Sequence, residues 1–502
     1  MRQSIQQEES KPMSLIQIKN LTFSYDNGGL PVFDHVSLSL DTNWKLGMIG
    51  RNGRGKTTLL RLLHGDYAYQ GEITASVSFE YFPYPIAEPE RLAVQIAEEA
   101  APEAEQWQII RELSLLQTDS EILWRPFNTL SNGEQIKLLL AALFLRENHF
   151  LLIDEPTNHM DAVGRAAVAA YLNRKKGFLL VSHDRTLLNG CVDHVLSINR
   201  ANIELQRGNF DSWDENRRRQ EQFEQTENEK LRRDIRRLSD AARSAAGWAD
   251  QIEGSKIGEG PVDRGFVGHQ SAKMMKRAKV LEKRRNAAVA EKAALLKNVE
   301  QAHALKLSPQ PFRLNRLLSC TDVSVAYEEK EVFSPVSFEI CREDRICVVG
   351  KNGAGKSSLL KALLGQDIPT RGIIQKPRDL LISYVPQDTS FLSGRVSDFA
   401  DKRGISESLL RAVLDKLAMN REELDRDLSA MSAGQKKKIL IAGSLCEQAH
   451  LYIWDEPLNF VDVVSRMQIE TLLSDFPSTM LFVEHDAAFC KKIATKTLTL
   501  TC

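Results

Sequence analysis

Apolar and polar positions divide this chain into two kinds of segment. Short continuous apolar runs, KLGMI (45–49), FLLID (150–154) and LYIWD (451–455), have the length and flanks of buried strands, and TTLLRLL (57–63) follows the first with helical character. The middle of the chain reads differently. Residues 211–246 are polar, highly charged and free of Gly and Pro, with Leu231, Ile235, Leu238, Ala242 and Ala245 at a 4-3-4-3 spacing that marks one helix face. Residues 247–268 interrupt this with six glycines and Pro261. A second helical stretch then places Met274, Leu281, Ala288 and Leu295 seven apart. The pattern predicts two long antiparallel helices joined by a loop. A first helix of 36 residues would span about 54 Å.

The strand-rich ends are copies of each other. GRNGRGKTTLLRLLHG (50–65) returns as GKNGAGKSSLLKALLG (350–365), at an offset of 300. LSNGEQIKLLLAALFL returns as MSAGQKKKILIAGSLC and FLLIDEPTNHMD as LYIWDEPLNFVD, both at 301, and VSHD returns as VEHD at 302. Four motifs recurring in one order indicate duplication of a whole domain. The expected division is a tail at 1–13, domain 1 at 14–208, a helical hairpin linker at 209–305 with an extended tip at about 244–270, and domain 2 at 306–502.

Composition removes some alternatives. A formal net charge of −1 gives no global attraction to nucleic acid or membrane, so any such attraction is local. No run of about 18 apolar residues exists to span a bilayer. The seven cysteines lack metal-ligand spacing, which suggests buried thiols in a reducing, cytoplasmic setting.

The chemistry lies in the repeats. Gly50, Gly55, Lys56 and Thr57 form a P-loop between a strand and a helix; Gly350, Gly355, Lys356 and Ser357 repeat it. Glycines let backbone N–H groups curl around phosphate, and the helix N-terminus adds positive potential. Asn52, Gly53 and Thr58, with Asn352, Gly353 and Ser358, complete the two cradles. Asp154 and Asp455 each end an apolar strand, where a carboxylate can join a Mg²⁺ shell with Thr57 or Ser357. Glu155 and Glu456 follow directly, placed to polarise an attacking water.

These motifs, the LSGGQ-like signatures and a histidine 28 residues after Glu155 resemble the ABC ATPase family. The resemblance covers both end domains and implies an α/β fold of two tandem ABC-type P-loop ATPase domains joined by the hairpin. It implies ATP and Mg²⁺ as cofactors and a monomer whose two cassettes pair head to tail. Lys56 would then face Ser432 and Gly434, and Lys356 would face Ser131 and Gly133. His183 and His485 correspond to the switch histidines, Tyr25 and Tyr327 to the adenine-stacking aromatics, and Gln387 to the Q-loop glutamine that contacts Mg²⁺. Tyr84 stands where the first copy should have that glutamine, and Asn132 and Ala433 replace a signature glycine, so the two sites are expected to differ.

Within the family, EPTNHMD resembles the ABC-F subfamily of translation factors. A tandem ATPase subunit of an ABC transporter is the rival reading. Tyr84 and the long charged linker count against it. From 231 to 285 the linker holds 14 Lys/Arg against 7 Asp/Glu. Arg232, Arg233, Arg236, Arg237, Arg243, Lys273, Lys276, Arg277 and Lys279 are candidate RNA contacts. Trp248, Phe266 and His269 could stack on bases or pack the tip. DTNWKLGMIGRNGRGKTTLLRLL, SAARSAAGWAD and GHQSAKMMKRAK look most like the antibiotic-resistance branch, of Lsa type. That likeness implies a bacterial 70S ribosome as partner, through 23S rRNA and P-site tRNA, and no membrane. It implies protection from lincosamides, streptogramin A and pleuromutilins. A factor for stalled ribosomes without a drug role remains the other ABC-F reading.

Overall fold

The computed structural model describes residues 15–25, 31–157, 160–199, 202–254, 309–327, 330–351, 353–417 and 419–501, and scattered residues between 272 and 287. The end domains together make one compact unit, and 212–301 makes another.

Each end domain is α/β, as the apolar runs predict. In the first, a six-stranded sheet has the order Ser78–Phe82, His149–Asp154, Phe178–Val181, Lys45–Gly50, His194–Ile198, Ile203–Arg207. All its pairings are parallel except the last. In the second, Ile382–Val385, Leu451–Asp455, Met480–Val483, Arg345–Val349 and Lys496–Thr499 form an all-parallel sheet. Parallel strands are covered on both faces and so read as unbroken apolar runs. Leu152, Ile153, Leu179 and Leu180 are fully buried, as are Tyr452, Ile453 and Trp454. A smaller antiparallel sheet, built on Leu15–Phe23 in one domain and Arg316–Tyr327 in the other, completes each cassette.

This topology brings the functional loops together. In parallel sheets, ligands bind outside the carboxyl ends of the strands. Lys45–Gly50 ends in the first P-loop and His149–Asp154 in the Asp-Glu pair, while His183 follows Phe178–Val181.

The linker begins with a single helix, Phe210–Gly254, of 45 residues, about 68 Å long. It runs through Gly247, so the expected break there and the first part of the expected tip loop (244–254) are corrected to helix. One helical glycine costs about 1 kcal/mol against Ala, too little to end a helix whose neighbours favour it. Arg233, Arg236, Arg237, Lys273, Lys276 and Lys279 are exposed. Arg232 and Arg243 lie on the helix, as does Trp248. Arg277, Phe266, His269 and the sevenfold series Met274 to Leu295 fall outside the described residues. No described helix is long and apolar enough to cross a membrane.

Candidate nucleotide site

Both P-loops close on their lysines. Lys56 Nζ donates to the carbonyls of Gly50 (2.7 Å) and Arg51 (3.2 Å), and Lys356 Nζ to those of Gly350 (3.0 Å) and Lys351 (2.9 Å). Gly55 and Gly355 hold φ of 89° and 78° at the starts of the helices Lys56–His64 and Lys356–Leu364. A Cβ on Gly55 would stand 2.7 Å from the Val32 side chain, and one on Gly355 2.6 Å from Val332, so glycine is required on two counts. Tyr25 and Tyr327 are exposed beside these helices. Their hydroxyls bond Thr58 (2.6 Å) and Ser358 (3.3 Å), and the Tyr25 ring meets those of Phe23 and Tyr67 in T-shaped contacts.

The carboxylates sit where the strands predict. Thr57 Oγ1 donates to Asp154 Oδ2 at 2.9 Å, so hydroxyl and carboxylate converge as Mg²⁺ ligands do. In the second cassette Asp455 is buried and its Oδ1 has no hydrogen-bond partner, which suits an oxygen reserved for a cation. Glu155 and Glu456 adopt left-handed backbone, φ 50° and 47°. That conformation costs a glutamate about 1–3 kcal/mol and recurs at functional sites.

The surroundings of the two glutamates differ. Glu155 accepts from His183 N at 3.3 Å and lies 3.2 Å from His183 Nε2. Burial, with the charge of Asp154, pushes its carboxyl up to about 8 against the pull of Lys56 and Arg466. Burial, then Lys56 and Arg466, hold the His183 imidazole well below its usual range. Glu456 instead accepts from Gln387 Nε2 at 2.9 Å, contacts Asn459 Nδ2, and lies 3.6 Å from His485 Nε2. Burial would raise its carboxyl too, but the hydrogen bond and charge of His485, with Lys356 and Asn459, keep it below its usual value. Tyr84 makes no such link in the first cassette; its ring lies 5.9 Å from the Arg146 guanidinium.

The cassettes also meet. Asn52 Nδ2 donates to Phe460 O at 2.7 Å, and Asn52 N points at Asp462 Oδ2 at 3.4 Å. A Cβ on Gly434 would lie 2.3 Å from Phe460 O and 2.7 Å from Asn52 Nδ2. Gly434 of the second signature thus packs beside Asn52 of the first P-loop. Ser432 caps helix Ala433–Cys446 in a capping box with Gln435, which directs that N-terminus at the site. Ser131 caps Asn132–Leu143 in the same way with Glu134. The counterparts of Asn52 and Phe460 are Asn352 and His159. Both lie outside the described residues, so the pairing of Lys356 with Ser131 and Gly133 stays an expectation.

Four features of the sites and their contact were not foreseen. Asp462, fully buried, caps helix Val463–Ser474 and pairs with Lys438 at 3.2 Å. Burial would raise its carboxyl, but Lys438, the Ser465 N–H and Lys56 overcome this and hold it far below the usual range. Arg185 of the first cassette forms an ion pair with Glu470 of the second and lies 3.4 Å from Asp486. Arg466 reaches Asp486 at 3.3 Å. Lys437 is buried, and burial lowers its ammonium to about 8 against the pull of Asp455, Glu484 and Glu456. In sequence, Lys437 sits in a run of three lysines that reads as a solvated face; only its place on the inner side of the helix says otherwise.

Comparison with known proteins agrees with this geometry. The family profile described as "ABC transporter" matches residues 33–158 and 333–459. The ribosome protection protein VmlR of Bacillus subtilis (strain 168) is 27% identical over 95% of this chain and 85% of its own length. The human ATP-binding cassette sub-family F member 3 is 27% identical over 95% of this chain and 70% of its own. Among solved structures, the RNase-L Inhibitor superposes with a TM-score of 0.61 at 18% identity, covering 96% of this chain and 87% of the other.

Proposed function

From the premise that the chain belongs to the ABC transporter family, in its ABC-F branch, and is an ATPase, we propose that it protects the bacterial ribosome. In this reading the ATP-bound, closed protein occupies the ribosomal exit site. Its linker lies beside P-site tRNA and 23S rRNA, and the tip approaches the peptidyl transferase centre. Lincosamides, streptogramin A and pleuromutilins lose their site there. The supporting observation is the long helix Phe210–Gly254, which follows the first cassette in sequence and opens the segment 231–285 with its 14 Lys/Arg against 7 Asp/Glu, in a chain similar along nearly its whole length to a ribosome protection protein. Exposed arginines at Arg233, Arg236 and Arg237 suit an RNA phosphate surface.

In this reading the residues divide the chemistry as follows. Lys56 and Lys356 hold the β- and γ-phosphates, and backbone N–H groups of both P-loops cradle them. Mg²⁺, when bound, neutralises phosphate charge; Thr57 and Asp154 would hold it in one site, and Ser357, Gln387 and Asp455 in the other. Glu155 and Glu456 orient the attacking water and accept its proton, and His183 and His485 steady those carboxylates. Ser432 and Gly434 present a helix N-terminus to the first site; Ser131 and Gly133 have the same role at the second. After hydrolysis the cassettes separate and the protein leaves the ribosome.

The test is sedimentation of the Glu155→Gln, Glu456→Gln double variant with 70S ribosomes, with and without ATP. Co-sedimentation only with ATP is expected, and cells expressing the wild-type chain should gain resistance to the three drug classes. Binding without any resistance would leave a translation factor with no drug role. ATP binding without ribosome binding would return the transporter reading.

A further inference from the structure

At two buried positions a charge is present only in the second cassette. Helix Ala433–Cys446 carries Lys437 where helix Asn132–Leu143 carries Ile136, and VEHD carries Glu484 where VSHD carries Ser182. The Lys437 side chain is inside the domain, with 1% of its surface exposed. Its Nζ donates to Pro386 O at 2.7 Å and to Asp455 O at 3.2 Å. Pro386 immediately precedes Gln387, and Asp455 immediately precedes Glu456. One ammonium therefore ties together two segments whose next side chains meet, Gln387 donating to Glu456.

Glu484 acts on the far side of the same carboxylate. Its oxygens accept the N–H groups of Leu458 (3.1 Å), His485 (2.7 Å) and Asp486 (3.3 Å). It thereby fastens the segment after Glu456 to the segment bearing His485. A buried charge is costly unless compensated, and these two occur together in one copy and are both missing from the other. The first cassette builds the same helix and strand with Ile136 and Ser182, so the fold itself does not require them. It also has Tyr84 in place of Gln387.

We infer that Lys437 is a positioning residue for ATP hydrolysis at the second site, with Glu484 as a second tie on the other side of Glu456. Together they hold Gln387, Glu456 and His485 in one fixed arrangement that the first site lacks. This rests on the ATPase chemistry alone and stands whatever the partner is.

The test is steady-state ATP hydrolysis by the full chain with the first site silenced by Glu155→Gln, a change the wild-type reference also carries, comparing Lys437→Met with Ile136→Met as the control in the first cassette. Misplacing a catalytic group by a fraction of an ångström costs about tenfold or more. The expected result is kcat about tenfold lower for Lys437→Met with KM within about twofold, and both constants unchanged for Ile136→Met. The Lys437→Ile, Glu484→Ser double variant gives the second cassette the uncharged pair of the first. It should melt as the wild type does and still be slow. Lys437→Arg should recover part of kcat. A kcat within twofold of wild type in Lys437→Met, recovery of kcat in the double variant, or loss in KM rather than kcat would overturn the assignment. So would failure of the double variant to fold, since the pair would then serve the fold and not the reaction.

Discussion

The two nucleotide sites share an ancestor's motifs and differ in where their order comes from. The Lys56 site takes its surroundings from the other cassette: Asp462 and Phe460 reach Asn52, and Arg466 and Lys438 impose charge on His183. The Lys356 site takes much of its order from within, through Gln387, Asn459 and His485 on Glu456. A repeated motif therefore guarantees the same chemistry without guaranteeing the same control. At the first site order comes from across the cassette contact; at the second, the described residues order Glu456 from within its own domain.

The sharpest way to break this comparison is to add one methyl group to the second signature. Gly434→Ala drives a Cβ into Phe460 O and Asn52. First-site turnover should fall about 100-fold, measured as steady-state ATPase activity in a Glu456→Gln background that silences the second site. A loss below about threefold would mean that this contact does not order the first site.

Arg185→Ala is expected to act next most strongly, on stability. Stranding a buried charge costs about 3–5 kcal/mol, but Lys492 remains 3.2 Å from Glu470 and Arg466 remains on Asp486, so about 2 kcal/mol is expected. Thermal unfolding would show it. The position aligned with Arg185 is Ala487, so no mirror-image pair backs it up.

The smallest effect is the most diagnostic. Asp462→Asn should lower the melting temperature at pH 7 more than Asp161→Asn, since Asn serves as a helix cap nearly as well as Asp and only Asp462 is known to face Lys438 and Lys56. The sign follows from linkage. A carboxylate whose folded value is depressed contributes stability above its unfolded value, near 4, and loses it as the pH falls below that. The gap between wild type and Asp462→Asn should thus close below about pH 4. A gap independent of pH would remove the electrostatic account.

Much of this was legible in the sequence because the relevant signals are local. Apolar runs gave the buried strands, glycine spacing gave the P-loops, and internal repetition gave the two-cassette plan. What stayed hidden depends on contacts between distant residues. The link between Asn52 and Phe460 spans 408 positions and that between Arg185 and Glu470 spans 285. Lys437 was hidden by its neighbours, because polarity in a lysine run does not say which member points inward. The expected break at Gly247 failed for the opposite reason: a local signal was given more weight than a 1 kcal/mol cost deserves.

The 408-residue span has a consequence for synthesis. A chain leaves the ribosome from its N-terminus, so Lys56 and Glu155 emerge long before Phe460, Asp462 and Arg466 exist. During that interval the first P-loop can fold but cannot be completed. Domains fold as units while the chain grows, and docking comes last. The finished site is therefore a test of completeness: an unfinished or prematurely terminated chain carries a nucleotide-binding motif without the partner surface that makes it an engine.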